Sequence, residues 1–180
     1  LYLNYVGHGG ANALTNEKIV TNADLIDLYN EHLAFWTTAT CNFSRFDAPV
    51  VSAGEYVLIN KNGGGIGLFS TTRTVYSDPN YALNREFVVP LFGRDGQGKQ
   101  YRVGDLLKYA KNNCTSKMYD NKLSFVLLGD PALRLAMPAY DVHTESINGK
   151  DVKEVTVGAL ETVEINGSVR NGNEVMTDFN

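Results

Sequence analysis

The sequence predicts an α/β fold, a mostly parallel sheet with helices on both faces, followed by the start of an all-β module. Three observations carry that prediction. Short apolar, β-branched runs alternate with segments of helical period, the pattern of right-handed βαβ crossovers. One run, LAFWTTAT at 33–40, is almost continuously apolar and β-branched, as strands buried on both faces of a parallel sheet are. Beyond Met137 and Pro138 the helical period gives way to alternation of apolar and polar residues with Asn-Gly punctuation.

Taken in order, LYLNYV is a short β run, and the glycine-rich GHGGAN after it reads as a loop. A helix is predicted over 22–31, with Leu25, Leu28 and Tyr29 at helical spacing and Thr21 or Asn22 as cap. The strand 33–40 then ends at Cys41. A second helix is expected over 49–60, with Val50, Val57 and Leu58 on one side, before the loop KNGGG and the strand IGLFSTT. Asp78 and Pro79 read as a cap and a first-turn proline, opening a helix through about Phe87. Residues 105–112 give one more helix and KLSFVLLG, at 122–129, a fourth strand. Two units follow from this reading: 1–137, the later part of an α/β domain, and 138–180, the first strands of a β-sandwich with edges left to be paired or covered. Because the first residues already look like mid-strand, the chain is read as a piece of a longer protein.

Bulk composition narrows the function. The 180 residues are 43% hydrophobic and 20% charged, which is ordinary globular composition. With 16 basic against 20 acidic residues the net charge is -4, and no Lys/Arg cluster tracks a phosphate backbone, so nucleic acid is not an expected partner. No apolar run approaches the roughly 18 residues a membrane helix needs, and the segment itself is expected to be soluble. Cys41 and Cys114 can be one disulfide or two free thiols; spacing alone does not decide.

His8 and Cys41 each stand just beyond the end of a predicted strand, where open parallel sheets collect their catalytic groups. If those strands are neighbours, about 4.8 Å apart, the two side chains can approach each other. Thiols near an ordinary pKa of about 8.5 are mostly protonated at neutral pH, and an adjacent imidazole can take or balance that proton. Gly9 and Gly10 let the backbone turn sharply, so that an N–H beside His8 and the Cys41 N–H can face an acyl oxyanion. A second reading stands beside this one: a small buried thiol at a strand end and a histidine in a turn. Cys114, at the end of a helix, reads as structural, His32 as closing a helix and meeting its dipole, and His143 as part of a linker. HExxH, paired CxxC, a phosphate loop ending in GK[ST] and GxSxG are all missing, so neither a metal site nor a cofactor is expected.

Four blocks in order, NYVGHGG, TTATCNFSRFD, GGGIGLFSTTRTVYSDPN and FVLLGDPALRL, resemble the gingipain-type (C25) cysteine peptidases, most closely the PorU subgroup, the sortase-like peptidase of the type IX secretion system. The resemblance covers about residues 1–135 and is far more specific than one motif. It implies a caspase-like α/β fold, His8 as catalytic base, Cys41 as nucleophile, the Gly9 and Cys41 amides as oxyanion donors, and an immunoglobulin-like module after the catalytic domain.

The same resemblance implies removal of C-terminal sorting domains from secreted proteins through a Cys thioester, with transfer to an amine-bearing lipopolysaccharide. It also implies secretion-system components as partners and a place at the cell surface or outer membrane of a Gram-negative bacterium. The third catalytic residue is expected before Leu1. Ser70, Thr71, Thr72 and Arg73 have two readings, substrate cleft or solvated loop. In GDPALRL, Asp130 is expected to bond local backbone, with Leu133 and Leu135 packing inward. The alternative function, from a different class, is a catalytically silent peptidase-like domain that binds sorting signals or scaffolds a secretion complex.

Overall fold

The computed structural model describes residues 1–114, 121–138, 140–153 and 155–178. The chain divides into two compact units, Leu1–Ala136 and Met137–Asn180. In the first, the elements are β1 (Tyr2–Val6), β2 (Gly9–Gly10), β3 (Ala13–Leu14), β4 (Val20–Thr21), α1 (Asn22–Asp27), β5 (Ala34–Ala39), α2 (Ala53–Ile59), β6 (Gly65–Thr71), α3 (Ser77–Leu91), α4 (Val103–Asn113), α5 (Asn121–Ser124) and β7 (Phe125–Gly129). Its main sheet has the order β1-β5-β6-β7.

Strand alternation divides the core between two faces. Trp36 and Leu68 pack with Leu25, Ala53 and Val57, which brings α1 and α2 onto one face. Phe35 and Phe69 point the other way, where Phe87 of α3 stacks on both, with ring centroids 6.0 and 4.3 Å apart, and Phe125 lies 4.9 Å from Phe69. This is the expected sheet with helices on both faces. The strand expected at 33–40 is buried along nearly its whole length, as its sequence requires.

One expectation about topology fails. β1, β5 and β6 are parallel, but β7 runs antiparallel to β6, so the last connection is not a βαβ crossover. A single helix carries the chain back across a sheet and delivers a parallel strand. Here two helices, α3 and α4, pack on each other between β6 and β7, so the chain returns to the end it left and re-enters reversed.

Local differences have local causes. The expected loop GHGGAN contains β2, which with β3 and β4 forms a small antiparallel sheet turned through Ala11 and Asn12. α1 stops at Asp27 because the Asn60 side chain donates to the Leu25 and Leu28 carbonyls at 2.9 and 2.7 Å, ending the helix with its orphan acceptors satisfied. His32 therefore lies beyond the helix rather than closing it, and Tyr29 is exposed. Thr21 is the cap, through a capping box with Asp24 whose hydrogen bonds hold the Asp24 carboxyl below its usual range.

α2 starts at Ala53 rather than 49 because Ser52 donates from both N–H and hydroxyl to Glu55, at 2.8 and 2.7 Å, and Val50 is left exposed outside the helix. α3 is longer than expected and begins after Tyr76, with Asp78 inside its first turn. The first residues expected in the fourth strand form α5. Asp130 accepts from the Ala132 N–H at 2.8 Å, while Leu133 and Leu135 are half-buried.

In the second unit β8 (Asp141–Ile147), β9 (Lys150–Asp151), β10 (Ile165–Asn171) and β11 (Glu174–Val175) make one antiparallel sheet of order β11-β10-β8-β9. His143 is in β8, not in a linker, and the described residues between 152 and 164, whose alternation suggested strands, form turns and irregular chain. Two facing sheets are not present among the described residues, and the last two residues expected in a sandwich, Phe179 and Asn180, lie outside them.

Candidate active site

The site starts from one register. β1 and β5 are adjacent and parallel, and Val6 is paired with Ala39. His8 is two residues past Val6 and Cys41 two residues past Ala39, so both leave the sheet at its carboxyl end at the same level. Both line one cavity of about 290 Å³, shared with Val6, Thr40, Val75 and the start of α3. His8 is exposed and Cys41 half-exposed. The Cys41 Sγ lies 3.6 Å from the Val75 carbonyl, to which its thiol can donate.

The backbone that carries His8 is fixed. Its carbonyl accepts from the Tyr5 hydroxyl at 2.5 Å and from the Thr15 N–H at 2.9 Å. Gly9 is required by contact: a Cβ there falls 2.6 Å from Thr40 Oγ1 and 3.3 Å from Thr40 Cγ2. A residue without a side chain lets β2 lie against the residue preceding Cys41 with no shift of either. Gly10, with nothing near its missing Cβ, carries no such demand.

Beyond Cys41 the chain turns at once. Asn42 is left-handed, at φ 56°, a conformation asparagine tolerates better than most residues. Its N–H donates to the Arg73 carbonyl at 3.2 Å, and the Ser44 N–H donates to Thr71 O at 2.8 Å. The Thr71 hydroxyl donates to Thr40 O, and the Thr38 hydroxyl to Ser70 Oγ at 2.6 Å. Ser70, Thr71 and Thr72, for which a substrate cleft was one reading, are buried and do not line the cavity. Ser70 and Thr71 bolt the Cys41 strand to β6, while Thr72 donates to the Ser124 carbonyl from its N–H at 2.8 Å and its hydroxyl at 3.2 Å. Arg73 is exposed and clasps Asp47 through both terminal nitrogens, at 3.0 and 2.6 Å, which holds the Asp47 carboxyl below its usual range.

Sequence reasoning missed the α3 side of the cavity, where Ser77, Asp78, Asn80 and Tyr81 stand. The signal was present in VYSDPN, read only as a helix start. Cys114 caps the end of α4, and both cysteines are free, so they form no disulfide with each other. His32 and His143 do not line the cavity. Among the described residues no three His, Cys, Asp or Glu side chains gather as metal ligands.

With this geometry in place, the sequence supplies the family. The family model for peptidase family C25 matches residues 1–136. The chain belongs to peptidase family C25. No curated protein matches it. Solved structures do: a crystal structure of the Arg-specific cysteine proteinase gingipain R (RgpB), at 17% identity and TM-score 0.61 over 79% of this chain and 36% of that one, and the complex of Porphyromonas gingivalis RgpB pro- and mature domains, at 16% identity and TM-score 0.61 over the same shares.

A structure described as that of a protease matches at 15% identity and TM-score 0.58, over 77% of this chain and 38% of that one. The chain thus spans little more than a third of the length of the structures it matches. At these identities the likeness is one of fold, and it is the caspase-like fold of the C25 peptidases. No helix among the described residues is long and apolar enough to cross a membrane.

Proposed function

We propose that this C25 chain carries the catalytic pair of a cysteine peptidase, with Cys41 as nucleophile and His8 as base. The observation that supports it is the shared register: both residues follow the Val6–Ala39 pair by two positions and open into one cavity. In this reading the His8 imidazole takes the thiol proton and Cys41 Sγ attacks the scissile carbonyl carbon. The oxyanion that forms is met by the Gly9 and Cys41 amides. Collapse expels the amine, which takes the proton back from the imidazolium, and leaves a thioester on Cys41. Water or an amine then attacks the thioester and frees the thiol.

The PorU-like blocks of the sequence extend the proposal. The substrates are secreted proteins bearing C-terminal sorting domains, the acceptor is the amine of a lipopolysaccharide, and the reaction is sortase-like transpeptidation. It takes place at the outer membrane surface of a Gram-negative cell, alongside secretion-system components. No cofactor enters this chemistry.

The pair is tested by the rate of alkylation at Cys41 against pH, in full-length protein with Cys114→Ser throughout. Fast labelling that persists at neutral and mildly acidic pH and is lost in His8→Ala is the expected result. Labelling indifferent to His8 removes the proposal. Transfer is tested separately by adding a small primary amine during cleavage of a sorting-domain substrate: an amide product supports transpeptidation, and free acid alone supports hydrolysis. Cys41→Ala is expected to abolish both products.

A further inference from the structure

We infer that Asn80 is a positioning residue for the His8–Cys41 pair, tying the tips of β1 and β5 to α3 through a single carbonyl. The inference rests on the proposed roles of His8 and Cys41. Ala39 O, two residues before Cys41, accepts the Gly7 N–H at 3.3 Å and the Asn80 side chain at 2.6 Å. Gly7 immediately precedes His8. One acceptor therefore joins the strand that carries the imidazole, the strand that carries the thiol, and a helix.

The orientation of the amide is set by chemistry. A carbonyl only accepts, so the Asn80 atom facing Ala39 O must be its NH2. α3 can hold that donor still because its buried face, Asn80, Leu83, Asn84, Phe87 and Leu91, is clamped to the sheet by the Phe87 stack on Phe35 and Phe69. From the β6 side, Thr71 and Arg73 fix residues 40–44 by separate bonds. Asn80 works on the opposite flank, toward His8.

Stability alone does not explain an asparagine here. The side chain is only 5% exposed, and its Oδ1 is buried without a protein partner. An orphaned buried acceptor destabilises a fold, and Ala39 O already holds one hydrogen bond from Gly7, so an apolar residue would carry less cost. What the amide adds is a fixed distance between two strand tips. Small displacements at such a point weigh heavily on reaction rate, since proton transfer needs its partners within hydrogen-bond reach.

The test is a double-mutant cycle on Cys41 alkylation across pH, in full-length protein with Cys114→Ser, using Asn80→Asp and His8→Ala singly and together. Asn80→Asp keeps the shape and removes the donor. It should slow the His8-dependent labelling about tenfold at neutral pH, with partial recovery in acid as the carboxyl gains a proton to donate, and have no effect once His8 is alanine. Equal slowing with and without His8, or no slowing, overturns the inference. If His8→Ala alone leaves labelling unchanged, the catalytic pair itself has failed, which is a distinct result and removes the role of Asn80 with it. Should Asn80→Asp not fold, Asn80→Ala carries the same cycle, without the recovery in acid.

Discussion

The sheets β1-β5-β6-β7 and β11-β10-β8-β9 have four strands each, but the first is packed by helices of its own unit and the second unit has no helix among its described residues. Among the described residues, the buried apolar side chains all lie between Leu14 and Phe125, and no side chain of Met137–Asn180 is fully buried. The difference bears on where chemistry can be built. A strand tip is positioned only as well as the layers on either side hold the strand, and the tips carrying His8 and Cys41 leave a sheet packed by α1 and α2 on one face and α3 on the other. In the second unit, the sheet is held by its ladders and by surface bonds such as Arg170 and Ser168 to Glu145, at 2.8 and 2.7 Å.

The largest test of this contrast removes matched side chains. Phe87→Ala, at the centre of the stack, should destabilise the first unit by about 3–5 kcal/mol. Half-buried Val169→Ala, in β10, should cost about 1 kcal/mol or less. Chemical denaturation of both variants, followed by tryptophan fluorescence at Trp36 and by circular dichroism, checks the pair. Comparable losses would mean that the second unit has a core of its own.

A second test uses glycines that both lack room for a Cβ. Gly167→Ala drives a Cβ to 2.4 Å from the His143 carbonyl, backbone against backbone, and should melt the β8–β10 pairing while leaving Cys41 labelling unchanged. Gly9→Ala meets chiefly the Thr40 side chain, whose rotation only exchanges Oγ1 for Cγ2, with the Ala13 carbonyl oxygen less close at 3.1 Å. It should keep the fold and slow Cys41 labelling about tenfold, because the packed sheet passes the shift to the next residue. Gly10→Ala is the control, with no effect expected.

The same contrast explains what was legible in the sequence. Periodicity reports local burial, so β5, β6, α3 and α4 stand near their expected places. The positions of His8 and Cys41 at strand ends were equally readable, because each follows its own apolar run. Parallel against antiparallel was not readable, since the reversal of β7 depends on α3 packing against α4. Nor was the α3 wall of the cavity, because the bond from Asn80 to Ala39 spans residues far apart in sequence. In the second unit, alternation without burial misled: residues 152–164 alternate, but among the described residues of that unit no buried layer selects one face.

Tyr2 gives a smaller, pH-dependent test of the covered sheet. Burial pushes its hydroxyl up to about 12 from 10.0, opposed by its hydrogen bond to Thr37, and its ring meets Phe92 edge-on at 5.6 Å. A raised folded pKa gives stability that is complete below about pH 10 and lost as pH climbs toward about 12. Stability should therefore fall over that interval in the first unit, and Tyr2→Phe should flatten the fall. An unchanged slope would mean that Tyr2 is solvated.

The smallest effect expected separates the surface clasps of the two units. Asp47 with Arg73, and Glu145 with Ser168 and Arg170, both hold carboxyls below their usual range, through hydrogen bonds first and charge second. A depressed folded pKa gives stability present above the ordinary carboxylate range and lost as pH falls through the folded value. Both carboxylates are exposed, so each clasp contributes little and salt weakens it. Their consequences still differ. In the first unit the sheet stays covered when Asp47 is protonated, so Asp47→Asn should leave the acid melting curve almost unmoved. In the second unit Glu145 gathers a hydroxyl and a guanidinium from β10 across to β8, and among the described residues of that unit no side chain is buried behind them. Glu145→Gln should therefore weaken that sheet at neutral pH, flatten its loss of stability on acidification and remove part of its salt dependence, read by amide exchange in β8 and β10. Equal shifts for the two variants would show that coverage by helices does not insulate a sheet from its surface charges.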